Sequence, residues 1–392
     1  MNQDLLNIEV QKFINESLEI NFSKIALLKN PFPEISWTDI LTQIASKAKA
    51  KTKLPTWFNT DAILYPSKLS IEQTSSEKTA NYKANLISGE SIIDLTGGFG
   101  VDDYYFSKIF SRVVHCELKK DLHEIVKHNL SSLSVKNIEC FLGDSSTIIK
   151  EINSKFDWIY IDPSRRNDAK GKVFLLKDCL PDVPSNLDFY FNFTDNILIK
   201  TAPLLDISAG LSELKNVREI HIVAINNEVK ELLWILQKDF KESCKIKTIN
   251  ISKENEELFE FNLNDNTYLS LFSEPKKYLY EPNSAILKSG GFNNVAKFYK
   301  VEKLQQHSHL YTSDQEIDFP GRKFIVNKVF EYNKTNMKHH LANSKANITT
   351  RNFSETVEEI RKKWKIKDGG DLYSFFTTDK SNHKIVLICQ KI

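Results

Sequence analysis

Apolar residues recur at three- and four-residue spacing through the first seventy positions. Leu5, Leu6, Val10, Phe13, Ile14 and Leu18 fall on one helical face, and Ile35-Ser36-Trp37-Thr38-Asp39-Ile40-Leu41 opens a second amphipathic segment. Residues 47–53 are basic and stop just before Pro55, which predicts a boundary. From about residue 90 the period changes to strand, loop, helix, repeated. Residues 91–95, 112–118, 137–142, 156–161, 196–200 and 219–225 are apolar and predict strands; 101–110, 121–130, 145–153 and 227–237 predict helices. Near-continuous apolar strands alternating with helices imply a parallel sheet covered on both faces. Residues 258–263 and 267–272, joined by Asn264-Asp265-Asn266, predict a closing hairpin. Beyond Pro275, residues 280–319 alternate short helical and strand signals. Residues 324–330 and 384–389 predict strands around a helix at 354–364 and a Gly369-Gly370 turn. The chain therefore divides into an N-terminal helical region (1–70), an α/β domain (71–275) and two small α+β units (276–320 and 321–392).

Composition narrows this only in places. The five cysteines are scattered and form no CxxC pair, so neither a disulfide framework nor structural zinc is expected, and no metal site is assigned. With no signal peptide and no apolar run of membrane length, a cytoplasmic location is expected. The net charge of +2 conceals an asymmetry: residues 320–392 hold 15 Lys/Arg against 7 Asp/Glu, an excess of eight. That excess suits a polyanion such as RNA, or is a solvated basic face.

Four constellations carry chemistry. Asp94-Leu95-Thr96-Gly97-Gly98-Phe99-Gly100 closes a strand with glycines that let a ligand approach the backbone, without the pattern of a dinucleotide fingerprint or a P-loop. Glu117 ends the next strand, at the spacing where a carboxylate meets a ribose diol in dinucleotide folds. Asp144, after the third strand, either accepts a bond from an adenine amine or caps the helix that follows; one residue can do both. Asp162-Pro163-Ser164-Arg165-Arg166 follows the fourth strand, where open α/β sheets bind substrate. Asp162 would orient or deprotonate an acceptor, and Arg165, Arg166, Lys170 and Lys172 would form a cationic patch suited to phosphate.

In their order along the chain, these motifs resemble those of class I S-adenosylmethionine-dependent methyltransferases. The stretch 65–80, with residues 280–288 and 345–353, resembles a bacterial family that joins such a domain to a ferredoxin-like unit and a C-terminal THUMP-like domain. The resemblance implies a Rossmann-like sheet with a final reversed hairpin and S-adenosylmethionine as methyl donor. It assigns Thr96, Gly97, Gly98, Phe99 and Gly100 to the cofactor's amino-acid portion, Glu117 to the ribose and Asp144 to the adenine amine, with Asp94, Leu118 and Ser145 as further cofactor-binding candidates. Asp162, Pro163 and Ser164 become the catalytic candidates, and Arg165, Arg166, Lys170, Lys172 and Gln73 the substrate-binding ones. THUMP domains accompany RNA modification, so structured RNA, tRNA included, is the expected partner. One departure stands: amino-group methyltransferases carry an aromatic residue after Asp-Pro-Pro, and here the motif reads Asp162-Pro163-Ser164-Arg165. Two further readings stay open: a methyltransferase acting on a protein or small molecule, and a non-catalytic RNA-binding protein on the same scaffold.

Overall fold

The predicted N-terminal spacing does form helices, four of them started by a side-chain cap. In the computed structural model, which describes residues 3–165, 175–253, 255–265 and 269–392, α1 (Ile8–Ser17) and α2 (Phe22–Ala26) start on Asn7 and Asn21 side chains that accept backbone N–H groups. They pack on α3 (Trp37–Lys53) through Val10, Ile14, Ile25, Ile40 and Ile44, all essentially buried. Burying each such side chain stabilises by about 1.5–3 kcal/mol. Pro55 marks a change of helix: α4 (Pro55–Asn59) begins there with proline in its first turn. Two more helices follow, α5 (Lys68–Gln73) and α6 (Glu77–Leu86), capped by Ser67 and Ser76.

The alternating region then supplies β1 (Ser91–Asp94), α7 (Val101–Phe106), β2 (Arg112–Glu117), α8 (Lys120–Ser132), β3 (Ile138–Leu142), α9 (Ser145–Ile152) and β4 (Trp158–Ile161). A two-residue ladder, β5 (Ser164–Arg165) with β6 (Cys179–Leu180), precedes α10 (Val183–Tyr190), β7 (Asn196–Thr201) and α11 (Ile207–Glu213). Four strands complete the sheet: β8 (Val217–Ile225), β9 (Glu228–Gln237), β10 (Lys245–Ile251) and β11 (Glu256–Asn262). The nine strands run in the order β11-β10-β8-β9-β7-β4-β1-β2-β3. β1 pairs parallel with β2 and β4, β2 with β3, and β4 with β7.

Two expectations are corrected here. Residues 227–237 are the strand β9, not a helix. Leu232-Leu233-Trp234-Ile235-Leu236 is apolar on every side and at most 1% exposed, and such a run carries no period by which to tell strand from helix. Asn226 and Asn227, both with positive φ (50° and 62°), make the tight two-residue turn into it. The hairpin containing residues 258–263 also has a different partner. β11 pairs antiparallel with the upstream β10 (Lys245–Ile251), a strand absent from the predicted elements, whose Thr248, Ile249 and Asn250 are buried in a row. Residues 267 and 268 lie outside the described residues.

The chain divides into two compact units, Met1–Val217 with Trp234–Phe240, and Arg218–Leu233 with Lys241–Ile392. In the first, the N-terminal helices bind directly to the parallel-sheet region. Asn129 of α8 donates to Leu64 O at 2.8 Å and accepts Leu64 N at 2.9 Å, and Gln43 makes the same two-way bond with Tyr65 at 2.7 and 2.9 Å. In the second, β12 (Tyr278–Pro282), α12 (Ser284–Ser289), α13 (Phe292–Tyr299), β13 (Glu302–Lys303) and β14 (Tyr311–Ser313) are followed by β15 (Gly321–Glu331), α14 (Lys334–His340), β16 (Asn347–Thr350), α15 (Val357–Trp364), β17 (Leu372–Thr378) and β18 (Lys384–Lys391). All seven strands form one sheet, β13-β14-β12-β15-β18-β17-β16, so the residues on either side of position 320 share a ladder, β12 with β15. Among the described residues no helix is long and apolar enough to cross a membrane.

Candidate active site

The carboxyl ends of β1, β2, β4 and β7 bring together Asp94, Glu117, Asp162 and Lys200. After β1 the chain turns out of the sheet while still bonded to both neighbours: Leu95 N donates to Tyr160 O and Gly97 N to Cys116 O, each at 3.0 Å. Asp94 Oδ1 accepts both Thr96 N (2.7 Å) and Thr96 Oγ1 (2.9 Å), and Thr96 Oγ1 in turn accepts Asp162 N at 2.7 Å. The threonine thus ties the end of β1 to the start of the Asp162 loop. Gly97 packs against the buried ring of His115, where a Cβ would come within 2.2 Å of Cε1. Gly98 and Gly100 hold φ of +58° and +71°, which side-chain-bearing residues rarely adopt. Glu117 closes the turn from the next strand: Oε2 accepts Gly98 N at 3.1 Å and Oε1 accepts Lys119 N at 2.7 Å.

Beneath this loop sits a set of buried ionisable groups. Asp103 Oδ2 and His115 Nδ1 are 2.6 Å apart and fully buried. Burial raises the pKa of Asp103 and lowers that of His115, so both are driven toward their neutral forms. Asp94 is also raised well above the usual carboxylate range, first by burial and then by the neighbouring Asp103. Asp102 moves the other way. Its burial penalty is outweighed by the charges of Lys83 and Lys200 and by bonds from Tyr160 and Ser75, each at 2.8 Å. Lys83, with no exposed side-chain surface, lies 3.3 Å from Asp102 Oδ1 and donates to Ser75 Oγ at 3.1 Å. Lys200 Nζ donates to Asp162 Oδ2 at 2.5 Å, and the Asp162 side chain remains about a third exposed (35%).

The other expected residues are placed as follows. Phe99 is buried against Trp57 and Tyr65, with ring centroids 6.2 and 6.3 Å away, so the N-terminal helical region buttresses the loop. Leu118 is 63% exposed directly after Glu117. Asp144 Oδ1 caps α9 by accepting Thr147 N at 2.9 Å, and Ser145 is the first residue of that helix. Pro163 is buried and Ser164 exposed. Arg165 belongs to the short strand β5, whereas Arg166, Lys170 and Lys172 lie outside the described residues. Gln73 is exposed at the end of α5; the stretch 65–80 enters the cluster through Ser75 instead. Lys200, Lys83, Asp102 and the Asp103–His115 pair are additions that the sequence motifs did not single out.

A solved structure from Porphyromonas gingivalis W83, provisionally named a methyltransferase, is similar to this chain over its full length. It is 30% identical, with a TM-score of 0.89, and the match covers 100% of this chain and 99% of that one. The chain belongs to that methyltransferase family. Within it, a ferredoxin-like domain matches residues 278–320 and a THUMP domain-like model matches residues 321–391. A curated relative, the uncharacterized RNA methyltransferase of Clostridium acetobutylicum, is 28% identical over 98 residues, a quarter of this chain; the match spans only 22% of that relative's length. The methyltransferase therefore has the predicted class of fold, a largely parallel sheet with an added α+β sheet.

Proposed function

We propose that this methyltransferase binds S-adenosylmethionine at the ends of β1–β3 and transfers its methyl group to RNA. The single observation that carries the cofactor reading is the cradle at Gly97–Gly100. Its first glycine has no space for a side chain, two more hold positive φ, and Glu117 is bonded into the turn. Residues of this kind fit a nucleoside with an amino-acid tail. The loop offers backbone close to the tail, Glu117 a carboxylate for the ribose hydroxyls, and Asp144 an acceptor for the adenine amine. Leu118 and Leu142, 63% and 45% exposed, offer apolar surface to the base.

When bound, the sulfonium donor supplies an electrophilic methyl: the new bond forms to a lone pair on the acceptor as the carbon–sulfur bond breaks and the thioether leaves. The protein's part is orientation and exclusion of water. Asp162, steadied by Lys200 on one oxygen and by Thr96 at its backbone nitrogen, holds the acceptor and receives the proton it loses. RNA as the acceptor is supported by the basic charge of residues 320–392, by the THUMP domain-like match and by the curated relative's name. The test is calorimetry with S-adenosylhomocysteine, followed by labelling RNA from cells lacking the protein with labelled donor. Failure to bind the cofactor product by a folded protein would end the cofactor reading. Binding without label in any RNA would end the acceptor reading.

A further inference from the structure

We propose that a cavity in the THUMP domain-like region seats one unpaired nucleotide of RNA together with its flanking phosphates; this deepens the RNA reading and rests on it. The cavity has a volume of about 560 Å³, and among the described residues no carboxylate lines it. Lys334 and Lys338 reach it from one face of α14, four residues apart. Lys363, Trp364 and Lys365 reach it from the end of α15, where Lys365 takes a left-handed φ of 55°.

Tyr332 organises the wall. Its hydroxyl accepts Trp364 Nε1 at 3.0 Å and Lys363 Nζ at 3.1 Å, and donates to Glu355 Oε2 at 2.9 Å. Lys363 is partly neutralised by Glu355 at 3.0 Å. Lys334, Lys338 and Lys365 have no carboxylate partner among the described residues, so three ammonium groups face one concavity without compensation.

Such a space selects a ligand with negative charge and a flat ring, because it offers ammonium groups beside a half-buried indole. An RNA duplex meets the first requirement only: its bases are stacked inside and its phosphates lie on a convex surface. An unpaired nucleotide meets both. Its base lies on Trp364 and its phosphates on the lysines, as in sites for single strands generally. The volume falls in the range of small-ligand sites and leaves no room for a helix.

The experiment uses the full chain, with an eight-nucleotide single-stranded RNA and a blunt duplex of equal length, followed by fluorescence anisotropy. The single strand is expected to bind more tightly than the duplex. The exposed pair Lys334→Ala with Lys338→Ala is expected to weaken it about tenfold or more. It should also flatten the log–log salt slope by about 1.4, at about 0.7 per lost phosphate contact. RNA should quench tryptophan fluorescence in the parent and much less in Trp364→Phe. The proposal is overturned if the double variant binds like the parent, or if the duplex or polyglutamate competes as well as the single strand. It is equally overturned if adenosine monophosphate alone binds as tightly as the oligomer. Methylation separates this failure from that of the wider reading. If the double variant labels RNA with unchanged KM, the cavity is not the site while the RNA methyltransferase reading stands. If the parent neither binds nor labels RNA, both fall.

Discussion

At Gly97 the requirement for glycine is steric before it is conformational. An added Cβ would sit 2.2 Å from a His115 ring that is itself fully buried and held by Asp103. Gly97→Ala is therefore expected to lower stability by about 1–3 kcal/mol, the usual cost of overpacking, and to abolish binding of S-adenosylhomocysteine. Thermal melting and calorimetry check this; a variant that melts and binds like the parent would show that the ring can yield. The glycine run was legible in the sequence, but its cause was not, because His115 meets the loop only once β1 and β2 are paired. Lys200 was illegible for a similar reason: a lone lysine at the end of an apolar strand carries no local signal. Its place beside Asp162 gives a second expectation. Lys200→Met should lower kcat by about ten- to a hundredfold, while Asp162→Ala lowers it by about a hundredfold or more, the range for a lost general base. Both should leave cofactor affinity nearly unchanged, since neither residue belongs to the Gly97–Glu117 cradle. Single-turnover kinetics beside calorimetry reads the two effects separately, and a parallel loss of affinity would assign the residues to the cofactor instead.

Among elements, legibility followed periodicity. The strands β1, β2, β3, β4 and β7 and the helices α8 and α9 stood out because each strand is a short apolar run between turn residues, and each helix keeps one apolar face. β9 did not, since its central run is buried on both sides and shows no alternation; the Asn226-Asn227 turn was the better clue to its strand character. β10 alternates only over Lys245-Ile246-Lys247 before burying Thr248, Ile249 and Asn250 in a row, and it lay unnoticed between two more obvious segments. The β8–β10 pair also supplies an acid-sensitive contact. Glu219 accepts His221 Nε2 at 3.0 Å and lies 2.8 Å from Lys247 Nζ across the ladder. These partners, the His221 bond first, depress the Glu219 pKa from 4.5 to about 2. A depressed carboxylate stabilises the fold fully above its unfolded pKa, and that contribution is lost as pH falls through the folded value. Glu219→Gln should then cost up to about 3 kcal/mol above pH 5, from the size of the shift. The gap to the parent should narrow steadily between about pH 4.5 and pH 2. Urea unfolding across that range measures it, and a gap independent of pH would mean that Glu219 matters through packing alone.

Over the whole molecule, charge and chemistry occupy different parts of the chain. The excess of eight positive charges lies in residues 320–392, whereas the cofactor cradle uses backbone N–H groups and two buried or bonded carboxylates. Phosphate contacts made by lysine release counterions, so RNA affinity should fall steeply with salt; backbone contacts inside a glycine loop release none. Three uncompensated lysines, at about 0.7 each for a single strand, predict a log–log slope of about −2. Raising salt from about 50 to 200 mM, a fourfold change, should then weaken single-stranded RNA binding roughly sixteenfold on that slope. Over the same interval the affinity for S-adenosylhomocysteine should hardly move. Anisotropy and calorimetry on one preparation of the full chain compare the two directly. A slope much steeper than this would mean that lysines outside the Trp364 cavity carry much of the binding, whereas a near-zero slope would remove phosphate from the account of how this methyltransferase holds its substrate.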